Sequence, residues 1–200
     1  FLNCSSLRSV TLPQGMQKVG DGAFANCTSL PSITLPLGLR EIEKGACAGG
    51  TSLASVSFPA AGLTDIDEGA FYGCTALKAA TLPLGLREID KNAFWGCTSL
   101  TNVSIPASVT EIKSGAFGGC TGLRSVTVGW TVPPMPRYPI FPSVPVANVQ
   151  LNVPRGTEST YRSMPVWNEF LKIGTVANAE VDGRQIYTTD GVLYLTLPKP

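Results

Sequence analysis

No histidine occurs in this 200-residue chain. The commonest general base and the commonest zinc ligand are therefore missing. A Ser-His-Asp or Cys-His arrangement for nucleophilic catalysis cannot be assembled within it. No run of about 18 apolar residues occurs, so no stretch reads as a membrane-spanning helix and no membrane insertion by this segment is expected. A charge imbalance is missing too. Lys plus Arg number 15 against 14 Asp plus Glu, and a net charge of +1 gives no reason to expect nucleic acid as a partner. The glycines, Gly118-Gly119 among them, lack the strand-to-helix context and the lysine of a phosphate-binding loop. There is no secretion signal either, but Phe1 falls inside a repeating pattern, so the chain reads as a piece of a longer protein.

What is present is a core-forming composition, 44% hydrophobic and 14% charged. Its order is periodic. Repeats run over 1–23, 24–46, 47–70, 71–93 and 94–116, with a partial copy over 117–128. The period is 23, with 24 in the third copy. The shared pattern is F-x-x-C-x-x-L-x-x-V-x-L-P followed by x-G-L-x-x-I-x-x-x-A.

The segment around Leu30, Ile33 and Leu35 recurs as Leu7/Val10/Leu12, Leu53/Val56/Phe58, Leu77/Ala80/Leu82, Leu100/Val103/Ile105 and Leu123/Val126/Val128. Its in-out alternation predicts a strand with one buried face. Pro13, Pro36, Pro59, Pro83 and Pro106 then end the strand, because proline has no N–H to donate. A second pair of apolar residues, such as Leu39 and Ile42, predicts a short strand or 3₁₀ turn in each copy. No copy can bury its apolar residues alone, so successive copies must stack.

Six cysteines in a secreted chain would ordinarily suggest three disulfides. Here Cys4, Cys27, Cys74, Cys97 and Cys120 hold one place in successive repeats, which predicts a ladder of small buried thiols and no disulfide. In the third copy Cys47 stands in the Phe position and Gly50 in the Cys position. Phe58, larger than its counterparts, is expected to fill the volume that Cys47 leaves.

These residues carry a resemblance. L-x-x-V-x-L within a 23-residue period looks like a leucine-rich repeat. The fuller A-F-x-x-C-x-x-L-x-x-I-x-I-P form resembles the BspA-like leucine-rich repeats of bacterial surface proteins. The usual Asn or Cys after the strand is replaced by Gly15, Gly38, Gly85 or Ser108, so no asparagine ladder is expected.

The expected fold is a right-handed, mostly β repeat solenoid over 1–128, with a C-terminal α+β cap over 129–174. The cap would use Trp130, Tyr138, Phe141, Trp167 and Phe170, a strand at Val149–Val153, and a short helix capped by Thr157. Over 175–200, two strands around Asp190-Gly191 predict a hairpin that opens a further β-domain or anchoring module.

Equivalent residues in adjacent coils should lie about 5 Å apart. Ser9, Ser32, Ser55, Asn102 and Ser125, with Thr11, Thr34, Ser57, Thr81, Ser104 and Thr127 beside them, then form a polar face. That face is either a binding groove for a peptide or glycan or a solvated sheet surface. Tyr72 and Trp95 follow the repeat Phe in neighbouring coils and are candidates for an exposed aromatic pair that stacks on sugar or protein.

Glu41, Asp65, Glu88 and Glu111, with Glu43, Asp67 and Asp90, form a carboxylate ladder. Arg40, Arg87, Lys44 and Lys91 are close enough in sequence to neutralise it. No Asp-rich calcium loop occurs. No catalytic residue, metal site or cofactor is expected.

The resemblance implies a non-catalytic, secreted or surface-displayed bacterial module that binds host or matrix proteins or other cells. A structural spacer and a glycan-binding accessory protein are the alternatives.

Overall fold

The structure, a computed structural model, describes residues 1–176 throughout and the backbone of three strands between residues 178 and 195. It is a parallel β-solenoid of about seven turns with a period near 23 residues. In chain order the strands are β1 Lys18–Val19, β2 Ser32–Thr34, β3 Glu41–Ile42, β4 Ser55–Ser57, β5 Asp65–Ile66, β6 Ala79–Thr81, β7 Glu88–Ile89, β8 Asn102–Ile105, β9 Glu111–Ile112 and β10 Ser125–Val128. The odd-numbered, short strands form one parallel sheet in the order β1-β3-β5-β7-β9. The even-numbered, longer ones pair in parallel on another side of each coil.

The sequence explains both. In β2 the pattern is exposed, buried, exposed, with Ile33 facing in between Ser32 and Thr34. Each short strand after β1 pairs an outward carboxylate with an inward isoleucine. A third ladder is made by the Ala-Phe segment. There the N–H groups of Phe24, Phe71 and Phe94 donate to the carbonyls of Ala46, Ala93 and Ala116 at 2.7 Å. The residue two before each Phe position turns the chain in the left-handed region. It is Gly22, Gly45, Gly69, Asn92 or Gly115, with φ between 56 and 69°, a conformation that glycine and asparagine tolerate best.

The core is a column of aromatic rings. Phe71 stacks on Phe94 at 5.1 Å, Phe94 on Phe117 at 5.2 Å, and Phe117 on Phe141 at 5.7 Å. Phe1 stacks on Phe24 at 5.5 Å. The column is broken in the third coil, where Cys47 stands in place of phenylalanine. Phe58 of that coil is half-buried and meets the Phe71 ring edge-on at 5.9 Å. Its ring therefore turns toward the interrupted column and not to solvent.

All six cysteines are free, and all but Cys4 are buried. The thiols of Cys27, Cys74, Cys97 and Cys120 each donate to the carbonyl of the Phe-position residue one coil earlier: Phe1, Cys47, Phe71 and Phe94, at 3.2–3.3 Å. A small apolar residue with a weak donor suits that place.

Two expectations about the long strands need correcting. The strand expected over Leu7–Leu12 does not form. In later coils the N–H of Ala54, Lys78, Thr101 and Arg124 donates to the coil before. Pro31 holds that place in the second coil and has no N–H to give. The long sheet is also interrupted between β4 and β6. There the third coil carries its extra residue, in Pro59-Ala60-Ala61-Gly62.

Beyond Gly129 the repeat sequence ends but the sheet does not. β11 (Gln150–Pro154) pairs with β10, and β12 (Lys172–Val176) pairs with β11, both parallel. Val149, Leu151 and Val153 are fully buried, so the segment fills the same inward places as the repeats.

Helix α1 (Glu158–Ser163) packs with β12 and with the 3₁₀ turn Trp167–Glu169, and a second 3₁₀ turn, Val146–Asn148, precedes β11. Trp130, Phe141, Tyr161, Trp167 and Phe170 form one aromatic cluster. The Tyr161 hydroxyl donates to the Trp130 carbonyl at 2.7 Å. Tyr138, expected in this cluster, is instead exposed on the proline-rich run, and Tyr161 takes its part. Thr157 sits at the helix N-cap, but its hydroxyl donates to the Pro154 carbonyl at 2.7 Å and makes no cap bond.

Three further strands, β13 (Asn178–Val181), β14 (Arg184–Thr189) and β15 (Val192–Leu195), form an antiparallel sheet. The register joins Thr189 to Val192. The turn residues Asp190 and Gly191 lie outside the described residues.

Candidate binding surface

The outward positions of the long strands are brought together as a polar strip along the solenoid. Ser32, Thr34, Ser55, Ser57 and Thr81 are exposed, and Asn102, Ser104, Ser125 and Thr127 are half-buried. Ser9 and Thr11 are exposed but lie outside any strand. From β6 onward the strip is continuous. Asn102 stands beside Ser125 and Ser104 beside Thr127.

β11 and β12 extend it with Gln150 and Lys172 in one row and Asn152 in the other. The Asn152 amide donates to the hydroxyls of Ser125 and Thr127 at 3.1 and 3.3 Å. Gln150, Asn152 and Lys172 were not evident as part of this face. The one available signal was the alternation of Val149, Leu151 and Val153, which identifies a strand but not its neighbour.

A groove of about 660 Å³ runs along the ends of these strands. Its polar wall is the inner row Ser57, Thr81, Ser104 and Thr127, and its apolar wall includes Pro59, Pro83, Leu84 and Pro106. Leu84 is 57% exposed, and Leu37, in the same place of the second coil, 70%. The groove lining carries no charged side chain. It offers hydroxyl hydrogen bonds beside apolar contact, a chemistry suited to recognition.

Tyr72 and Trp95 are not joined into a platform. Tyr72 is 47% exposed. Trp95 is half-buried, and a Cβ built on Gly118 of the following coil would collide with its ring. Trp95 thus lies over Gly118, on the side away from Tyr72. A residue column that reads Ala25, Ala48, Tyr72, Trp95, Gly118 explains this, because only glycine leaves room for the indole.

The carboxylate ladder is neutralised in part, by lysines other than those expected. Lys18 bridges Glu41 and Glu43 at 2.6 and 3.0 Å. Lys113 bridges Glu88 and Asp90 at 2.5 and 3.1 Å. Lys44 pairs with Glu68, and Arg40 donates to Gln17. Lys18 and Lys113 occupy ladder positions themselves, one coil beyond the carboxylates they bind.

Between these pairs Asp67 has no ion-pair partner among the described residues, and its pKa is raised to about 6. Partial burial is the main cause, and Glu41, Asp90, Asp65 and Glu43 add repulsion. Burial also holds the thiols of Cys74 and Cys120 up at about 12, so they stay protonated and unreactive. No group of His, Cys, Asp and Glu among the described residues is arranged to hold a metal ion. No helix among them is long and apolar enough to cross a membrane.

Three solved structures share this architecture. A leucine-rich repeat protein of T. pallidum is 30% identical, with a TM-score of 0.56 over 79% of this chain and 62% of its own. The pneumococcal vaccine antigen PcpA is 21% identical, with a TM-score of 0.67 over 82% of this chain and 40% of its own. A leucine-rich repeat protein from Bacteroides ovatus is 18% identical, with a TM-score of 0.51 over 87% of this chain and 56% of its own. The chain therefore spans less than two thirds of the length of each. No curated protein matches it.

Solenoids of this kind generally serve as protein-binding scaffolds and present extended surfaces. The BspA type leucine-rich repeat region matches residues 1–131 in six copies, and the chain belongs to that family.

Proposed function

We propose that this chain is a non-catalytic protein-binding module of a secreted or surface-displayed bacterial protein, with adhesion to host or matrix proteins or to other cells as its role. The observation that carries this reading is the polar strip from β6 to β12 with its neutral apolar groove. An extended array of weak contacts gains strength when it is engaged along its whole length. A relative of this fold described as a vaccine antigen favours exposure outside the cell.

The test is binding of the full chain to parallel panels of matrix proteins and glycans at physiological salt. A protein ligand should bind, and Thr81→Arg with Ser104→Arg should weaken it by about tenfold or more, a loss of about 1.4 kcal/mol. Binding that the double variant leaves unchanged would remove the strip from this role. Binding to glycans alone, lost in Tyr72→Ala, would move the site to that ring. Silence on both panels would favour a structural spacer.

A further inference from the structure

Among the described residues the short-strand sheet ends at β9 with its outer edge open. In every earlier coil the carbonyls flanking the outward residue are taken by the next coil. Arg40 N–H and Glu43 N–H donate to Gln17 and Val19 at 2.8 and 2.9 Å, and Thr110 N–H and Lys113 N–H donate to Arg87 and Ile89 at 2.9 Å. The corresponding carbonyls of Thr110 and Ile112 receive no donor among the described residues.

The sixth coil bonds to the fifth before and after this point. Gly129 N–H reaches the Ile105 carbonyl, and the carbonyls of Pro139 and Ile140 take the N–H groups of Gly115 and Phe117. Only the stretch between bypasses β9, and there Pro134 and Pro136 have no N–H to give. It leaves a cavity of about 340 Å³ between itself and Thr110, Glu111 and Ile112. That is near the small end for ligand pockets, the size of a short stretch of chain and not of a domain. Glu111 lines the cavity and has no ion-pair partner among the described residues, whereas Glu41 and Glu88 each have a lysine from an adjacent coil. The prolines also stiffen the opposite wall, so little order is lost on binding.

We propose that the outer edge of β9 takes an extended segment of a partner protein as a sixth strand of the short-strand sheet, with a basic residue of that segment against Glu111. Its N–H groups donate to Thr110 and Ile112 as the next coil would, which is recognition by strand addition. Its basic residue does for Glu111 what Lys113 does for Glu88. Arg137 and Tyr138, both exposed on the proline-rich wall, flank the segment. This site is separate from the polar strip and does not depend on it.

The probe is a capped peptide, Val-Thr-Glu-Ile-Lys-Ser, which copies residues 109–114. It is titrated at millimolar concentration into the isotope-labelled full chain. Amide shifts should concentrate at Thr110–Ile112 and Met135–Tyr138. Methylating the lysine amide nitrogen of the peptide, or replacing that lysine by glutamate, should each weaken binding by about tenfold or more. Glu111→Lys in the protein, an exposed change outside the core, should restore binding of the glutamate peptide. No shift at β9, or shifts that N-methylation leaves intact, would overturn the proposal. So would self-association of the chain that Glu111→Lys abolishes, which would assign the edge to a second copy.

Discussion

The two sheets of this solenoid are built by the same coils and stop at different places. The short-strand sheet runs without a gap through the irregular third repeat and ends at β9. The long-strand sheet breaks in the third repeat but continues through β11 and β12, where the repeat sequence has vanished. The difference shows what each ladder needs. A two-residue strand needs one inward isoleucine and an N–H in the next coil. An extra residue placed in the preceding loop does not disturb it, but prolines opposite β9 end it. A longer strand is displaced by the extra residue at its end. It survives loss of the consensus as long as residues such as Val149, Leu151 and Val153 fill the inward places.

The strongest way to break this contrast is to take away what supports β11 and β12. Trp167→Ala should cost about 3–5 kcal/mol. Hydrogen exchange should then show β11 and β12 opening before the short-strand sheet does. Equal protection of both sheets in that variant would mean that the C-terminal coils do not depend on the aromatic cluster.

The third coil sharpens the contrast next. Cys47→Phe should cost about 1–3 kcal/mol by overpacking against the Phe58 ring. Adding Phe58→Leu should recover most of that cost and show strong coupling in a double-mutant cycle. Additive losses would separate Phe58 from the gap in the column.

A smaller effect is expected on the carboxylate ladder. Asp67 binds its proton more tightly in the folded chain, about 6 against 3.8. Its contribution is therefore most favourable below the unfolded value and is lost as pH rises through about 6. At pH 7 Asp67→Asn should stabilise the chain by about 1 kcal/mol, with the full linkage value discounted because the group is partly solvated. That gain should disappear near pH 4, as followed by denaturant midpoints across pH. The smallest change is Lys113→Met, which should cost about 0.5 kcal/mol at low salt and nothing measurable at high salt.

Much of the coil was readable in advance, because its periodicity is local chemistry repeated. The inward Leu, Ile and Phe, the strand-ending prolines and the thiol column each follow from one residue type at one place. The polar strip was readable as far as Thr127, since alternation alone turns those residues outward. Its extension by Gln150, Asn152 and Lys172 was not, because pairing between coils depends on the distance the chain travels and not on a pattern. The lysines of the charge ladder were missed for a related reason. Lys18 acts on the coil after it and Lys113 on the coil before it, so their partners are more than twenty residues away.

By itself, then, the sequence determined the period, the inward faces and the family. Those depend on side-chain size and polarity at fixed intervals. Only the tertiary structure decided where each sheet breaks, how far the binding face runs, that Trp95 lies over Gly118, and that β9 keeps an open edge. Those outcomes are set by backbone donors and acceptors meeting across coils, and a single proline or one extra residue changes them without altering the hydrophobic pattern.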